Sequence, residues 1–264
     1  MKLSVIVTTY NRPDTLKKVL DGLFTQTRLP DEIVVADDGS DDETKRMLSP
    51  YLVRDDVVVK HVWQSDKGFR VSRIRNKAIL DSTGEYLILM DGDCIPENHF
   101  VADHEYLARP GFYFQGKRIL VNRVLADRFT CEDIKRRMFL IKAAVTNGLS
   151  NWHHLIRLPF FPSYSVKKLS GVRTCNMGMF RDDVNAINGF NQSMVGWGRE
   201  DSEFVTRLFR FGVKRREHPF RAICYHLWHP ENARDSLAEN ERILEETKQS
   251  TSWMCNNGIS QLVD

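Results

Sequence analysis

No apolar stretch in this 264-residue chain approaches the roughly 20 residues that a spanning helix needs. The chain therefore reads as soluble and globular, and its 42% hydrophobic content is ample for a core. Its first residues enter a strand pattern at once, without the features of a signal peptide, so a cytosolic location is expected. The five cysteines (Cys94, Cys131, Cys175, Cys224, Cys255) are odd in number and show no C-x-x-C spacing. They have neither the pattern of a zinc knuckle nor the density of a disulfide scaffold, and are expected to be reduced thiols, mostly in the core. Glycine is missing where nucleotide-binding loops require it. The first strand runs into Thr8-Thr9-Tyr10-Asn11-Arg12-Pro13 with no G-x-G-x-x-G, and G-x-x-x-x-G-K-[ST] occurs nowhere. A dinucleotide enzyme and a P-loop NTPase are both disfavoured. There is no internal repeat and no low-complexity segment.

What is present is an alternation of strand and helix over the first ninety residues. Leu3 to Thr9 is a β-branched run, and Asp14 to Leu23 places Leu16, Val19, Leu20 and Leu23 on one helical face with Asp14 as the expected N-cap. Strands are expected at 32–36, 57–62 and 86–90, with helices at 41–48 and 70–80. This pattern predicts an α/β fold with a parallel sheet. Beyond it the reading is coarser: helix at 97–108, strand at 112–121, helix at 131–147, and a long, partly mobile loop over 148–170. A last block has strands at 175–180 and 222–227, a turn of helix at 181–187, an amphipathic helix at 202–211, and a charged helix at 233–248.

Two acidic groups end predicted strands, Asp37-Asp38-Gly39-Ser40 and Asp91-Gly92-Asp93. Open α/β sheets bind ligands beyond the carboxyl ends of their strands. Paired carboxylates there repel each other, and a divalent cation carrying a phosphate relieves that repulsion. Asp-Gly-Asp is also ordinary turn chemistry, so both readings stay open. Net charge is only +3, yet Lys117 to Arg181 holds thirteen Lys/Arg against three acids, a local balance of +10. An anionic membrane, a phosphate-bearing substrate or a merely solvated basic face would each fit. Nucleic acid is disfavoured because the excess is confined to one segment with no recognised motif.

Four blocks in order, Val5 to Arg12, Val34 to Asp42, Arg73-Ile74-Arg75-Asn76 and Met90 to Asp93, resemble the family 2 glycosyltransferases of the GT-A fold. A later block, Gly189-Phe190-Asn191 and then Val195 to Phe204, is similar to the acceptor-side motif of β-1,4-galactosyltransferases and chondroitin-type polymerases. Cys224 to Pro230 resembles the histidine-bearing segment that ends their catalytic core. The resemblance implies a nucleotide-sugar half at 1–96, an acceptor and catalytic half at 97–232, and a helical tail at 233–264.

It further implies donor contacts from Thr8, Tyr10, Arg12, Asp37, Asp38, Arg75 and Asp91, with Asp37 and Asp38 on uracil and ribose and Arg75 near the diphosphate. Mn²⁺ (or Mg²⁺) would be held by Asp93, Asp91 and His226, with His229 as the rival ligand; imidazole favours Mn²⁺. Asp201 would be the catalytic base and Glu200 an acceptor-orienting partner, the acceptor also meeting Trp197 and Gly198. Turn formation at Asp37-Asp38, surface pairing of Arg75, a core role for either histidine and a favourable acidic helix start at Glu200-Asp201 remain the plain alternatives. The implied activity is inverting, metal-dependent transfer of a hexose or N-acetylhexosamine from a UDP-sugar to a saccharide or lipid-linked acceptor. Surface polysaccharide, lipopolysaccharide or capsule would be the product. Peripheral attachment to the inner face of an anionic membrane fits Phe139, Leu140, Lys142 and the Trp152 to Phe161 stretch. A non-catalytic nucleotide-sugar-binding homologue is the alternative, though Asp93, Asp201 and the histidine are all retained. A nucleotidyltransferase would require the missing glycine-rich loop.

Overall fold

The computed structural model describes residues 1–230 and 233–262. The first half alternates as expected: β1 (Leu3–Thr9), α1 (Pro13–Leu23), β2 (Glu32–Asp37), α2 (Asp42–Leu52), β3 (Val58–Trp63), α3 (Val71–Asp81) and β4 (Tyr86–Asp91). Then come β5 (Cys94–Pro96), α4 (Phe100–Leu107), β6 (Phe112–Gln115), β7 (Lys117–Val121), α5 (Arg123–Ala126), α6 (Cys131–Lys135), α7 (Arg137–Val145) and β8 (Leu149–Ser150). The chain continues through β9 (Tyr164–Val166), β10 (Asn176–Phe180), α8 (Arg181–Ala186), α9 (Glu200–Phe211), β11 (Lys214–Glu217), β12 (Ile223–Leu227) and α10 (Leu237–Gln249).

An eight-stranded sheet has the order β3-β2-β1-β4-β10-β6-β11-β9, and a smaller one the order β5-β12-β7-β8. Strands β3, β2, β1 and β4 are mutually parallel, and β10 joins β4 antiparallel. Because β1 is covered on both faces, its residues form a near-continuous apolar run rather than an alternation. Val5 and Val7 pack toward α1 and the small sheet, Ile6 toward α3 and α9. The chain runs outward from β1 to β3 and then returns to β4 on the other side of β1. That reversal opens a crevice at the ends of β1 and β4.

Several boundaries depart from the sequence reading for identifiable reasons. Asp14 is not the N-cap of α1: Arg12 holds that position, Pro13 fills the first turn and Asp14 lies inside it. The expected strand 112–121 breaks at Gly116 and its halves join different sheets. A side chain at Gly116 would collide with Asn176, whose amide donates to the carbonyls of Lys117 and Ala222 and so ties the two sheets together. The expected helix 131–147 breaks at Arg136, with a capping box of Thr130 and Asp133 starting the first piece. Strand β11, Lys-Arg-Arg-Glu, carries no apolar signal; its buried Arg215 and Glu217 pair with each other, and Lys117 also reaches Glu217. The 148–170 stretch is mostly without helix or strand, as expected, but contains β8, a short 3-10 turn at Trp152–Leu155 and β9. Helix α10 is tied to α9 and the turn before it by Arg199 to Glu241 and by the Asn240 amide donating to the carbonyl of Gly198. Among the described residues no helix is long and apolar enough to cross a membrane. All five cysteines are free and buried.

Candidate active site

A cleft of about 600 Å³ opens where β1 and β4 end, between the large sheet, the small sheet and the start of α9. Thr8 faces Asp91 in the parallel register, and its hydroxyl donates to the Asp91 carboxylate at 2.9 Å. Gly92 makes the next turn possible: its N–H donates to the Thr8 carbonyl at 2.7 Å, and a Cβ there would stand 2.8 Å from that oxygen. The turn delivers Asp93 to the small sheet. There β12 lies antiparallel to β5 with His226 opposite Cys94, and the Leu227 N–H donates to the Asp93 carbonyl.

The Asp93 carboxylate consequently meets His229 Nε2 at 3.1 Å, His226 Nε2 at 3.7 Å and the Arg12 guanidinium at 3.9 Å. A carboxylate oxygen of Asp93 and one ring nitrogen each of His226 and His229 lie within 4.8 Å of one another. One carboxylate and two imidazoles form a donor set that suits a divalent first-row metal. Both histidines join the cluster, whereas Asp91 stands beside it, its carboxylate taken by Thr8 and by Arg75 at 3.3 Å. Burial pushes the Asp93 carboxyl up, but the two imidazoles outweigh it and hold it below the usual range. Burial likewise holds His226 down against the pull of Asp93, while the hydrogen bond to Asp93 holds His229 up.

Across the cleft, α9 begins with Glu200 and Asp201. The turn that aims them has Gly196, Gly198 and Arg199 at positive φ; side chains at the two glycines would strike Ser236 and Leu237. Arg199, at φ 72°, pays a conformational cost that glycine would not. The Asp201 carboxylate accepts from the Thr174 hydroxyl at 2.7 Å and the Thr174 N–H at 3.1 Å, which fixes its orientation. Glu200 accepts from the Gly198 N–H, and burial, reinforced by repulsion from Asp201, pushes its carboxyl up to about 7.

Buried Arg75, on α3, faces Asp91 at 3.3 Å, Asp201 at 3.5 Å and Glu200 at 3.9 Å, so it joins the two acidic groups. Asp38 lines the cleft, and its carboxylate accepts from the Gln64 amide and from the Arg70 N–H at 2.7 Å. Asp37 does not line it. Its oxygens are used by the Ser40 N–H at 2.8 Å, inside the turn that ends β2, and by His61 on neighbouring β3 at 2.9 Å. Tyr10, Arg12 and Trp197 line the cleft, while Gly198 lies outside it. Arg118, Arg173, Phe69 and Trp228 also line it and were not singled out from sequence. The local excess of basic residues was the available signal for the two arginines, and adjacency to His229 for Trp228.

A crevice at the switch point of a mostly parallel sheet, with a carboxylate–histidine cluster on one wall and paired carboxylates on the other, defines a GT-A type domain. Two family models match: glycosyl transferase family 2 over residues 4–169, and the N-terminal domain of galactosyltransferase over residues 158–230. The chain belongs to glycosyl transferase family 2. It is 29% identical over 233 residues to the validoxylamine A glucosyltransferase of Streptomyces hygroscopicus subsp. limoneus, covering 80% of this chain and 48% of that protein. It is 28% identical over 235 residues to the chondroitin synthase of Pasteurella multocida (strain Pm70), covering 80% of this chain and 23% of that one. The chain thus spans between about a quarter and a half of these relatives. Among solved structures, S. aureus TarS 1-349 in complex with UDP-GlcNAc matches with a TM-score of 0.65 at 17% identity, over 94% of this chain and 66% of that one. GalNAc-T7 with UDP, GalNAc and Mn²⁺ matches with 0.67 at 16% identity, over 93% and 48%. These likenesses establish the fold.

Proposed function

We propose that this domain transfers a hexose or N-acetylhexosamine, with inversion, from a UDP-sugar to a saccharide or lipid-linked saccharide acceptor in surface polysaccharide synthesis. The observation that carries the reading is the sharing of one cleft by the Asp93–His226–His229 cluster and the Glu200-Asp201 pair. Asp93, His226 and His229 would hold Mn²⁺ in preference to Mg²⁺, since two imidazoles suit the softer ion. When bound, that ion would offset the charge growing on the leaving diphosphate.

The remaining steps belong to the chain. Asp38, Thr8 and Tyr10 border the donor side, and carboxylate and hydroxyl groups there suit the hydrogen-bonding edges of a base and ribose. Arg12 supplies positive charge beside Asp93. Asp201, oriented by Thr174, accepts the proton of the acceptor hydroxyl as that oxygen attacks the anomeric carbon from the face opposite the leaving group. Glu200 orients the same acceptor, and Trp197 offers its face to a sugar ring's C–H groups. Arg75 keeps the carboxylates of both walls at fixed separations. Residues 1–96 would then carry mostly donor contacts and 97–232 mostly acceptor contacts. The use of UDP is supported by the structural neighbours, among which TarS binds UDP and UDP-GlcNAc and GalNAc-T7 binds UDP.

Calorimetric titration of UDP with Mn²⁺, with EDTA, and with Asp93→Ala tests the site; a hydrolysis screen of UDP-sugars then names the donor. Binding that needs Mn²⁺ and vanishes in Asp93→Ala is expected. Absence of UDP binding under every condition sinks the UDP-sugar reading.

A further inference from the structure

A second cavity, of about 830 Å³, lies on the far side of β12 from the cleft. Side chains alternate along a strand, so His226 faces the cleft while Ile223 and Tyr225 face this cavity. Helix α7 and the 152–158 segment supply most of its other lining, with Glu97, Ile134 and Phe220 completing it. The segments that wall the cavity also carry exposed apolar side chains. Phe160 is 98% exposed, Val145 79% and Met138 77%, and Ile141, Trp152 and Ile156 are exposed beside them in sequence.

Helix α7 explains the face. At about 100° per residue, Ile141, Val145 and Met138 fall within one arc of about 60°. Arg137 flanks that arc on one side and Lys142 on the other. Leu140 and Ala143, on the opposite side of the helix, are buried in the core. A helix packed on one face and apolar on the other is made to bury both. Neither Arg137 nor Lys142 has an ion-pair partner of its own among the described residues, and the surrounding 117–181 segment carries the +10 balance noted above. A protein partner would need a pocket for fully protruding Phe160 and acids for both flanks. A fluid surface of apolar chains under anionic headgroups meets both demands at once.

We propose that α7 and the Trp152–Phe161 segment seat the domain on a bilayer rich in anionic lipid, with Phe160, Met138 and Val145 entering the acyl boundary and Arg137 and Lys142 at the phosphates. Trp152 is the interfacial anchor. Since β12 separates this face from the cleft, seating and substrate binding do not compete for the same surface. The proposal is independent of the metal and donor assignments.

Flotation with phosphatidylglycerol–phosphatidylcholine vesicles, against pure phosphatidylcholine vesicles, tests it on the full chain. Binding to the anionic vesicles is expected. The triple substitution Met138→Ser, Val145→Ser, Phe160→Ser should weaken it at least about tenfold, and Arg137→Gln with Lys142→Gln about tenfold at low salt and less at high salt. All five side chains lie outside the core, so melting temperature should hold in both variants. Three results overturn the proposal: no flotation with anionic vesicles, equal flotation with neutral ones, or binding unaffected by the triple substitution. Light scattering that gives a dimer, reverting to monomer in the triple variant, also overturns it by assigning the face to a second copy.

Discussion

Asp37-Asp38 and Asp91-Gly92-Asp93 end two strands of the same sheet, on either side of β1, and look alike in sequence. Their fates differ. Asp37 is used by the Ser40 N–H of its own turn and by His61 on neighbouring β3, and Asp38 is braced by Gln64 and Arg70 at the cleft edge. Asp93 instead meets two histidines, His226 on β12 and His229 just beyond it, more than a hundred residues later. An acidic strand end therefore marks where a ligand can bind, but the role of each carboxylate is set by what the rest of the fold brings against it. Partners from the same turn, the adjoining strand β3 and the segment after it brace Asp37 and Asp38 one by one. Two imidazoles converging on one carboxylate make a metal-type cluster.

The sharpest separation of the two pairs should come from Asp93→Ala. Losing the carboxylate of the cluster is expected to abolish Mn²⁺-dependent UDP binding and to lower turnover about 10³-fold, within the range for removing a key polar group of an active site. Asp37→Asn should do the opposite. It removes charge from a buried carboxylate that accepts from a backbone N–H and pairs with His61, so a stability loss of about 2–3 kcal/mol is expected, with UDP affinity per folded molecule retained. Chemical denaturation and calorimetry on both variants check the pair. If Asp37→Asn loses UDP binding while staying folded, the contrast between the two strand ends fails.

How much of this was legible in the sequence follows from the range of the interactions. Strands β1, β2 and β4 were readable because burial on both faces writes an apolar run into consecutive residues. Gly116 was not readable as a break, because the side chain that forbids a Cβ there belongs to Asn176, sixty residues on. Strand β11 was invisible because its burial depends on charge pairing rather than apolarity. In the site, Asp93, His226 and the Glu200-Asp201 pair could be nominated from motifs. The joint use of both histidines and the bridging position of Arg75 could not, since each depends on where three separate segments come to rest. Arg75 was expected at a diphosphate; among the residues described its neighbours are carboxylates of both walls.

A milder difference should appear within the first pair. Asp38 borders the cleft and Asp37 does not, so Asp38→Asn should weaken UDP binding by about tenfold, the scale of one charged hydrogen bond, with a smaller stability change than Asp37→Asn. Equal losses of affinity in the two variants would erase the distinction that the cleft geometry draws between them.

The smallest expected effect concerns the third acidic pair and has a sign that can be worked out. Burial, with repulsion from Asp201, raises the Glu200 carboxyl to about 7 in the folded chain, above its ordinary value of about 4.5. The folded state thus holds the Glu200 proton more tightly than the unfolded state does. Its contribution to stability is fully present below pH about 4.5 and is lost as pH rises through about 7. Glu200→Gln, which cannot ionise, should therefore gain on wild type by on the order of 1 kcal/mol between pH 5 and pH 8, with the two curves converging in acid. Denaturant midpoints across that range measure the gap. A gap that stays constant with pH would mean that Arg75, at 3.9 Å, already neutralises Glu200 in the folded chain, and that burial does not set this pair apart from an ordinary acidic helix start.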